Sequence, residues 1–220
     1  MPLTRYTYTH AVSAFFEFPT ENARAILPAH LQPLEVQHES SILAVTAFDF
    51  IGSMVGAYQE IVLSVIVPPL VSPGLGIAKS AFYPFLVGTS TEASREHAIE
   101  RWHLPHYMRD IEVDFTPGEG RMRVEVREGE RPILEMEVAE HRASPVDHLY
   151  QSFMIGGDER FKVDIHMRGP HSEHEEELGS LTLHEHPMTS QLDRPRVSRF
   201  PFREQWMRDG GQVFEELETI

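Results

Sequence analysis

Ile111-Glu112-Val113-Asp114-Phe115 leads into Thr116-Pro117-Gly118-Glu119-Gly120 and returns as Arg121-Met122-Arg123-Val124-Glu125-Val126. Successive side chains of a strand point to opposite faces, so Ile111, Val113 and Phe115 share one face with Met122, Val124 and Val126. The Pro-Gly link between the two arms is a turn, and the whole is a half-buried antiparallel hairpin. Ile133 to Val138 extends the same sheet.

The same alternation recurs over Tyr6 to Phe18, Ser41 to Phe50, Ala57 to Val67, Ser80 to Val87, Asp147 to Ile155, Arg160 to Met167 and Leu178 to Glu185. Helices are few. Thr20 is placed as N-cap of Glu21 to Leu27, which Pro28 ends. A second helix begins at Thr89, with Glu92 at capping-box spacing, and runs to Arg101 or Trp102 before Pro105. A third covers Arg203 to Met207 ahead of Gly210-Gly211. His171-Ser172-Glu173-His174-Glu175-Glu176-Glu177, after Gly169-Pro170, reads as a solvated acidic loop. The expected fold is α+β and mostly β: a large antiparallel sheet, closed into a barrel or sandwich, with short flanking helices.

The 220 residues suit one domain spanning 1–220, and 41% hydrophobic with 24% charged residues is an ordinary globular composition. Thirty-four acidic against 19 basic side chains give a formal charge of −15, which repels phosphate backbones and anionic lipid. Nucleic acid and membrane are therefore not expected partners. The start lacks the apolar core of a signal peptide, and the longest apolar stretch, Ile61 to Val71, is broken by Pro68 and Pro69, so a cytoplasmic location is expected. There is no cysteine, which excludes disulfides, thiolate nucleophiles and cysteine-bound metals. Lys79 and Lys162 are the only lysines, and guanidinium is no amine nucleophile at neutral pH.

Three segments carry a resemblance. Asn22 to Glu35 contains a short helix ending in Pro28-Ala29-His30-Leu31-Gln32-Pro33-Leu34-Glu35; Gly56-Ala57-Tyr58-Gln59-Glu60 enters an apolar strand; and Glu100-Arg101-Trp102-His103-Leu104-Pro105-His106-Tyr107 follows the second helix. In this order and spacing they resemble the acetoacetate decarboxylase superfamily. The resemblance implies that family's fold, a small-molecule substrate or ligand and assembly into homo-oligomers, with no cofactor. In the family's decarboxylases two lysines follow the proline, the first forming an imine with the substrate. Here those positions are His106 and Tyr107, the preceding glycine is His103, and the arginine before the glutamate is Ile99. The family's pocket arginine falls at Thr9 or His10. Of the family's pocket residues, Glu60 carries over cleanly.

Imidazole cannot replace an imine-forming amine. His106 could act as general acid or base, with Tyr107 or Glu60 as partner, or fill an inherited cavity. Alternation places Glu60 with Val62, Ser64 and Ile66 on one face, where a carboxyl is either buried with a raised pKa or paired structurally. Glu60, His106 and Tyr107 are thus the catalytic candidates, and His103, Trp102 and Tyr58 the substrate-binding ones. His103 and His106 with Glu100 or Glu60 have a metal-like composition, but Pro105 intervenes and no metal is expected there. His184, His186 and His166 read as surface or edge histidines. Lys79 reads as a solvated strand-end residue and Lys162 as the solvent-facing member of its strand. Gly74-Leu75-Gly76 is a turn, lacking the third glycine and helix of a nucleotide fingerprint, and no serine sits in a nucleophile elbow. Phe15, Phe16, Phe18, Phe48 and Phe50 are core candidates.

The resulting expectation is a lyase or hydro-lyase acting on a small oxo acid or carbonyl compound by acid–base chemistry. Two alternatives stand beside it: a non-catalytic small-molecule binder on the same fold, favoured if His106 turns away from the pocket, and an unrelated lipocalin-like barrel.

Overall fold

The computed structural model describes residues 3–71 and 76–220, so most of the Gly74-Leu75-Gly76 turn lies outside the described residues. In chain order the elements are β1 (Thr4–Pro19), α1 (Thr20–Ile26), β2 (Glu35–Gln37), β3 (Ser40–Gly52), β4 (Tyr58–Val67) and β5 (Ser80–Thr89). Then come α2 (Glu92–Trp102), β6 (Glu112–Gly118), β7 (Arg121–Glu128), β8 (Arg131–Ala139), β9 (Ser144–Gly156) and β10 (Glu159–His174). The chain finishes with β11 (Ser180–Leu183), β12 (Arg203–Phe214) and β13 (Glu218–Thr219). Among the described residues no helix is long and apolar enough to cross a membrane.

Seven strands close into a barrel in the order β1-β12-β10-β9-β5-β4-β3, with β3 pairing back onto β1. Closure removes the free edges an open sheet would expose. The pairings around the wall are antiparallel except β5 with β9, which run parallel over Ser80–Phe82. A bulge in β1 between Tyr8 and His10 reverses the phase of its alternation. Tyr6 and Tyr8 on one side of the bulge, and Ala11 and Ser13 on the other, thereby share the inner face.

β2 and β13 add to the same sheet beside β3 and β10, and the other four strands form a second sheet, β11-β8-β7-β6, outside the barrel. Its hairpin pairs Val113 with Val126 and Phe115 with Val124, the register the alternation predicts. Met122, Val124, Val126, Leu134, Met136 and Val138 from this sheet join Val12, Ala14, Phe16 and Phe18 from β1 in the main apolar core. The barrel wall is therefore buried on both faces over this stretch, outside by the second sheet and inside by its own lining. At about 25 cal/mol per Å² of apolar surface, such side chains contribute about 1.5–3 kcal/mol each.

Four sequence expectations are corrected. Arg203–Met207 is not a helix but the start of β12, paired on both sides with β1 and β10. Glu204, Gln205, Trp206 and Met207 are all buried, so no polar face marks the alternation. Gly210 continues this strand because a Cβ there would lie 2.4 Å from the Arg168 carbonyl oxygen and 2.7 Å from the Tyr8 hydroxyl. The supposed acidic loop belongs in part to β10: His171 to His174 pair with β12, and His171, Ser172 and His174 are buried. Two of its buried polar groups find internal partners: Ser172 Oγ accepts from His141 N at 2.7 Å and His174 Nε2 lies 3.0 Å from the Ala139 carbonyl.

The helix caps also differ. Thr20 is inside α1, its hydroxyl bonded to Ser41 Oγ at 2.8 Å. Thr89 ends β5, and Thr91 caps α2 by accepting from Ser94 N. The capping-box spacing of Thr89 and Glu92 falls two residues early because Thr89, Ser90 and Thr91 are all competent caps.

Candidate functional site

The barrel encloses a cavity of about 120 Å³. On β4 the alternation puts Glu60, Val62 and Ser64 on its wall, and Trp102, Leu104 and Phe214 border it as well. Most of the wall is apolar, so Glu60 is a carboxyl set into a low-dielectric surface. It is 8% exposed, and burial pushes its pKa up to about 8. At neutral pH this group is predominantly the uncharged acid, able to donate a hydrogen bond as well as accept one.

Tyr6 and Tyr58 stand near it, and each phenol is raised above the usual tyrosine range by burial and by the Glu60 charge. Trp102 Nε1 donates to the Tyr6 hydroxyl at 2.8 Å, and that hydroxyl lies 2.7 Å from His97 Nε2. Burial, then the Arg101 charge, holds His97 below the ordinary histidine range, and its neutral ring donates or accepts in that contact according to its tautomer. Trp102, from the resembling segment, and Tyr6, from the first strand, are thus locked together beside Glu60. Tyr58 packs on Phe50 with ring centroids 4.8 Å apart. Sequence reasoning missed Tyr6 and His97. Tyr6 carried only its strand alternation, and nothing local in His97 signals a partner 91 residues away.

The other candidates are placed elsewhere. Residues 105–107 lie along β5, with Val87 N donating to the Pro105 carbonyl and Tyr107 N donating to the Val87 carbonyl, both at 2.8 Å. His106 is not among the residues bordering the cavity. Its Nδ1 meets the Tyr107 carbonyl at 2.8 Å, while its buried Nε2 has no hydrogen-bond partner. Burial lowers its pKa, against the pull of the Tyr107 carbonyl. His103 occupies the left-handed position that ends α2, φ 52°, and stacks on Phe161 at 4.8 Å.

Tyr107 faces the second sheet. Its hydroxyl donates to Glu128 Oε2 at 2.7 Å, Arg109 donates to Oε1 at 2.7 Å, and His186 Nε2 reaches Oε2 at 2.9 Å. His186 is buried rather than at the surface, and its Nδ1 accepts from Met188 N at 3.2 Å, so its proton sits on Nε2. Hydrogen bonds from Arg109, then Tyr107 and His186, hold Glu128 down to about 2. We expect Glu128→Ala to cost about 2 kcal/mol, from charged hydrogen bonds lost and a buried His186 donor orphaned. For a chain of this size that is a melting point lower by about 4–8 °C. The depressed carboxylate stabilises fully above its unfolded pKa of 4.5 and loses its contribution as pH falls toward about 2. The wild-type-minus-variant gap in calorimetry should therefore shrink in acid; a gap constant with pH would rule out this carboxylate as the anchor.

Neither lysine is solvated as expected. Lys79 is half-buried, ion-paired with Glu173, with Nζ 3.4 Å from His148 Nε2. Lys162 does face away from the cavity, but β13 covers it and Glu218 pairs with it at 2.8 Å. Neither borders the cavity. Among the described residues no group of three His, Asp or Glu side chains forms a metal site.

No protein-family model and no curated protein matches the sequence. Solved structures match over its whole length. The acetoacetate decarboxylase of Legionella pneumophila is 15% identical with TM-score 0.69, covering 100% of this chain and 87% of that one. The enduracididine biosynthesis enzyme MppR complexed with pyruvate is 11% identical with TM-score 0.66, covering 99% and 90%. An acetoacetate decarboxylase-like enzyme from Sphingomonas wittichii is 12% identical with TM-score 0.63, covering 99% and 92%. At these identities the likeness is one of fold: the chain has the acetoacetate decarboxylase-like fold.

Proposed function

We propose that this chain is an enzyme of the lyase or hydro-lyase type, acting on a small oxo acid or related carbonyl compound by acid–base chemistry at Glu60 and without an imine. The observation that supports this reading is a deeply buried carboxyl, predominantly uncharged at neutral pH, on the wall of a half-open, mainly apolar cavity. A pKa near 8 leaves about one-tenth of Glu60 ionised at neutral pH. In that fraction the carboxylate takes the proton α to the substrate carbonyl, giving an enolate and the protonated acid. The acid then returns the proton to carbon or passes it to a departing group. In this reading His106 and Tyr107 hold the chain along β5 and against the second sheet, and take no part in the chemistry. Trp102, through Tyr6, fixes the wall beside Glu60.

Enzyme-dependent exchange of α-protons for deuterium, followed by NMR on a panel of small ketones, aldehydes and oxo acids, tests the proposal. Exchange above the buffer rate is expected for at least one compound. An inert panel counts for the second reading, a non-catalytic binder, which the absence of His106 from the cavity wall favours. Borohydride reduction with acetoacetate or pyruvate should leave the protein mass unchanged, and a stoichiometric adduct on Lys79 or Lys162 would overturn the imine-free mechanism.

A further inference from the structure

The row of wall residues next to Glu60 carries two hydroxyls. Glu60 lies opposite Phe48, and two residues along each strand Val62 lies opposite Thr46, which in turn lies opposite Ser13 of β1. Diagonal neighbours on one face of an antiparallel pair stand about 7–8 Å apart, so a carbonyl compound held by contacts of about 3 Å on each side reaches from Thr46 to Glu60. Ser13, Thr46 and Val62 all border the cavity and are half-buried. Their chain neighbours on the outer face, Val12, Ala14, Val45, Ala47, Ile61 and Leu63, are fully buried. The surface that this row leaves open therefore faces the cavity.

Ser13 Oγ lies 3.0 Å from Thr46 Oγ1, and among the described residues neither hydroxyl makes another hydrogen bond. Two hydroxyls carry two hydrogens and their mutual bond uses one, so the pair keeps one donor for a ligand. The other hydroxyls of the wall stand farther off. Ser64 is one pleat beyond Val62 on β4, and Tyr150 and Ser152 pair with Ser80 and Phe82, at the end of β5 opposite Thr89, the partner of Glu60. Trp102 Nε1 and the Gln205 amide are already engaged, by Tyr6 and Glu173. When the Glu60 carboxylate takes an α-proton, the electrons of the broken C–H bond move into a new C=C bond and the carbonyl oxygen gathers the negative charge. That charge calls for a donor, and among the described residues no lysine or arginine borders the cavity.

We propose that the Ser13–Thr46 hydroxyl pair donates a hydrogen bond to the carbonyl oxygen of the compound whose α-carbon faces Glu60, holding that oxygen on binding and as the enolate forms. The inference rests on the reading of Glu60 as the base. The proton passes only between carbon and Glu60, and the donating hydroxyl keeps its own.

Butanone labelled with carbon-13 at its carbonyl tests this; it is smaller than the benzene that an apolar cavity of about 150 Å³ holds, which suits a volume of about 120 Å³. A hydrogen bond moves the carbonyl carbon downfield, from its hydrocarbon position toward its position in water, so an NMR titration reads the contact without turnover. The downfield position should persist from about pH 6 to about pH 9.5, where Glu60, titrating at about 8, is ionised and cannot donate. Ser13→Ala and Thr46→Val, made singly, release the surviving hydroxyl toward the ligand and should change little. The double variant removes both partners and orphans neither. It should return the carbon to its hydrocarbon position, bind butanone about fivefold more weakly and exchange α-protons about 10²- to 10³-fold more slowly. Should the double variant not melt cooperatively, the wild-type pH series decides. A bound carbonyl at the hydrocarbon position, a downfield shift lost as Glu60 ionises, a shift that survives the double variant and so belongs to another wall donor such as Gln212, or no binding of butanone would each overturn the proposal. The Glu60 reading is tested apart from it: that reading fails if Glu60→Gln exchanges at the wild-type rate, wherever the carbonyl carbon resonates.

Discussion

Between about pH 4.5 and about pH 8.5 the melting point of Glu60→Gln should rise relative to the wild type by about 10 °C or more. In the fold Glu60 is raised from 4.5 to about 8, so the native state holds this proton more tightly than the unfolded chain does. Such a group contributes its full stability below its unfolded pKa and loses it as pH climbs through its folded pKa. The shift of about 3.5 pH units corresponds to about 5 kcal/mol at 1.36 kcal/mol per unit, and a chain of this size moves about 2–4 °C per kcal/mol. Glutamine keeps the shape and does not titrate. Its buried amide adds a penalty of its own, but one that does not vary with pH, so the change in the gap is the diagnostic quantity. Parallel pH–stability curves for the two proteins would show that Glu60 ionises as an ordinary carboxylate.

The same substitution should lower α-proton exchange by about 10²- to 10⁴-fold, the usual worth of a positioned acid–base group. Gaining stability at alkaline pH while losing chemistry is the behaviour expected of a residue retained for function, because a hydrophobic wall without a carboxyl would be the more stable barrel.

Why Glu60 was legible in the sequence and His171 was not follows from what surrounds each. Glu60 opens a strand that is mostly apolar after it, so one ionisable residue at an inward position stands out. His171 lies in a run of histidine and glutamate whose composition matches a solvated loop. Only the pairing of β10 with β12, and the Lys79–Glu173 and Gln205–Glu173 contacts made from distant strands, show that the run is partly interior. His106 and Tyr107 show the reverse error. The family frame set them at the lysine positions of a pocket, but whether a side chain two residues after a helix-ending turn faces the cavity depends on a pairing with Val87 that no local pattern encodes. The facing of the β6 and β7 hairpin was legible because its two faces differ in polarity, whereas its turn was read too long: Thr116 to Gly118 continue β6 and only Glu119-Gly120 turn. The start of β12 was opaque because both of its faces are covered.

That covered strand carries the largest structural effect we expect: Glu204→Ala should lower the melting point by about 10 °C, from a loss on the order of 3–5 kcal/mol. Glu204 is fully buried, and its neighbour Gln205 is the one on the cavity wall. Its Oε2 accepts from Ala139 N at 2.7 Å, and its Oε1 accepts from Leu178 N at 2.8 Å and Gly179 N at 2.9 Å. One carboxylate thereby fastens the end of β8 and the approach to β11 to the barrel, and truncating it encloses three backbone donors without acceptors, each costing about 1–3 kcal/mol before the chain relaxes. Glu204→Gln returns an oxygen to one side and sets an amide N–H against the other, so it should fall between wild type and alanine. Gly179→Ala should imitate the alanine variant, since its Cβ would lie 2.2 Å from the Glu137 carbonyl and 2.7 Å from Glu204 Oε2. The two substitutions break one junction, so the double variant should be less destabilised than the sum of the singles. Ketone binding measured below the transition should be unchanged in Glu204→Ala, which separates a joint between the sheets from a part of the cavity. Melting points for both Glu204 variants within about 2 °C of wild type, less than one hydrogen bond to a charged group is worth, would mean the carboxylate is dispensable to that joint.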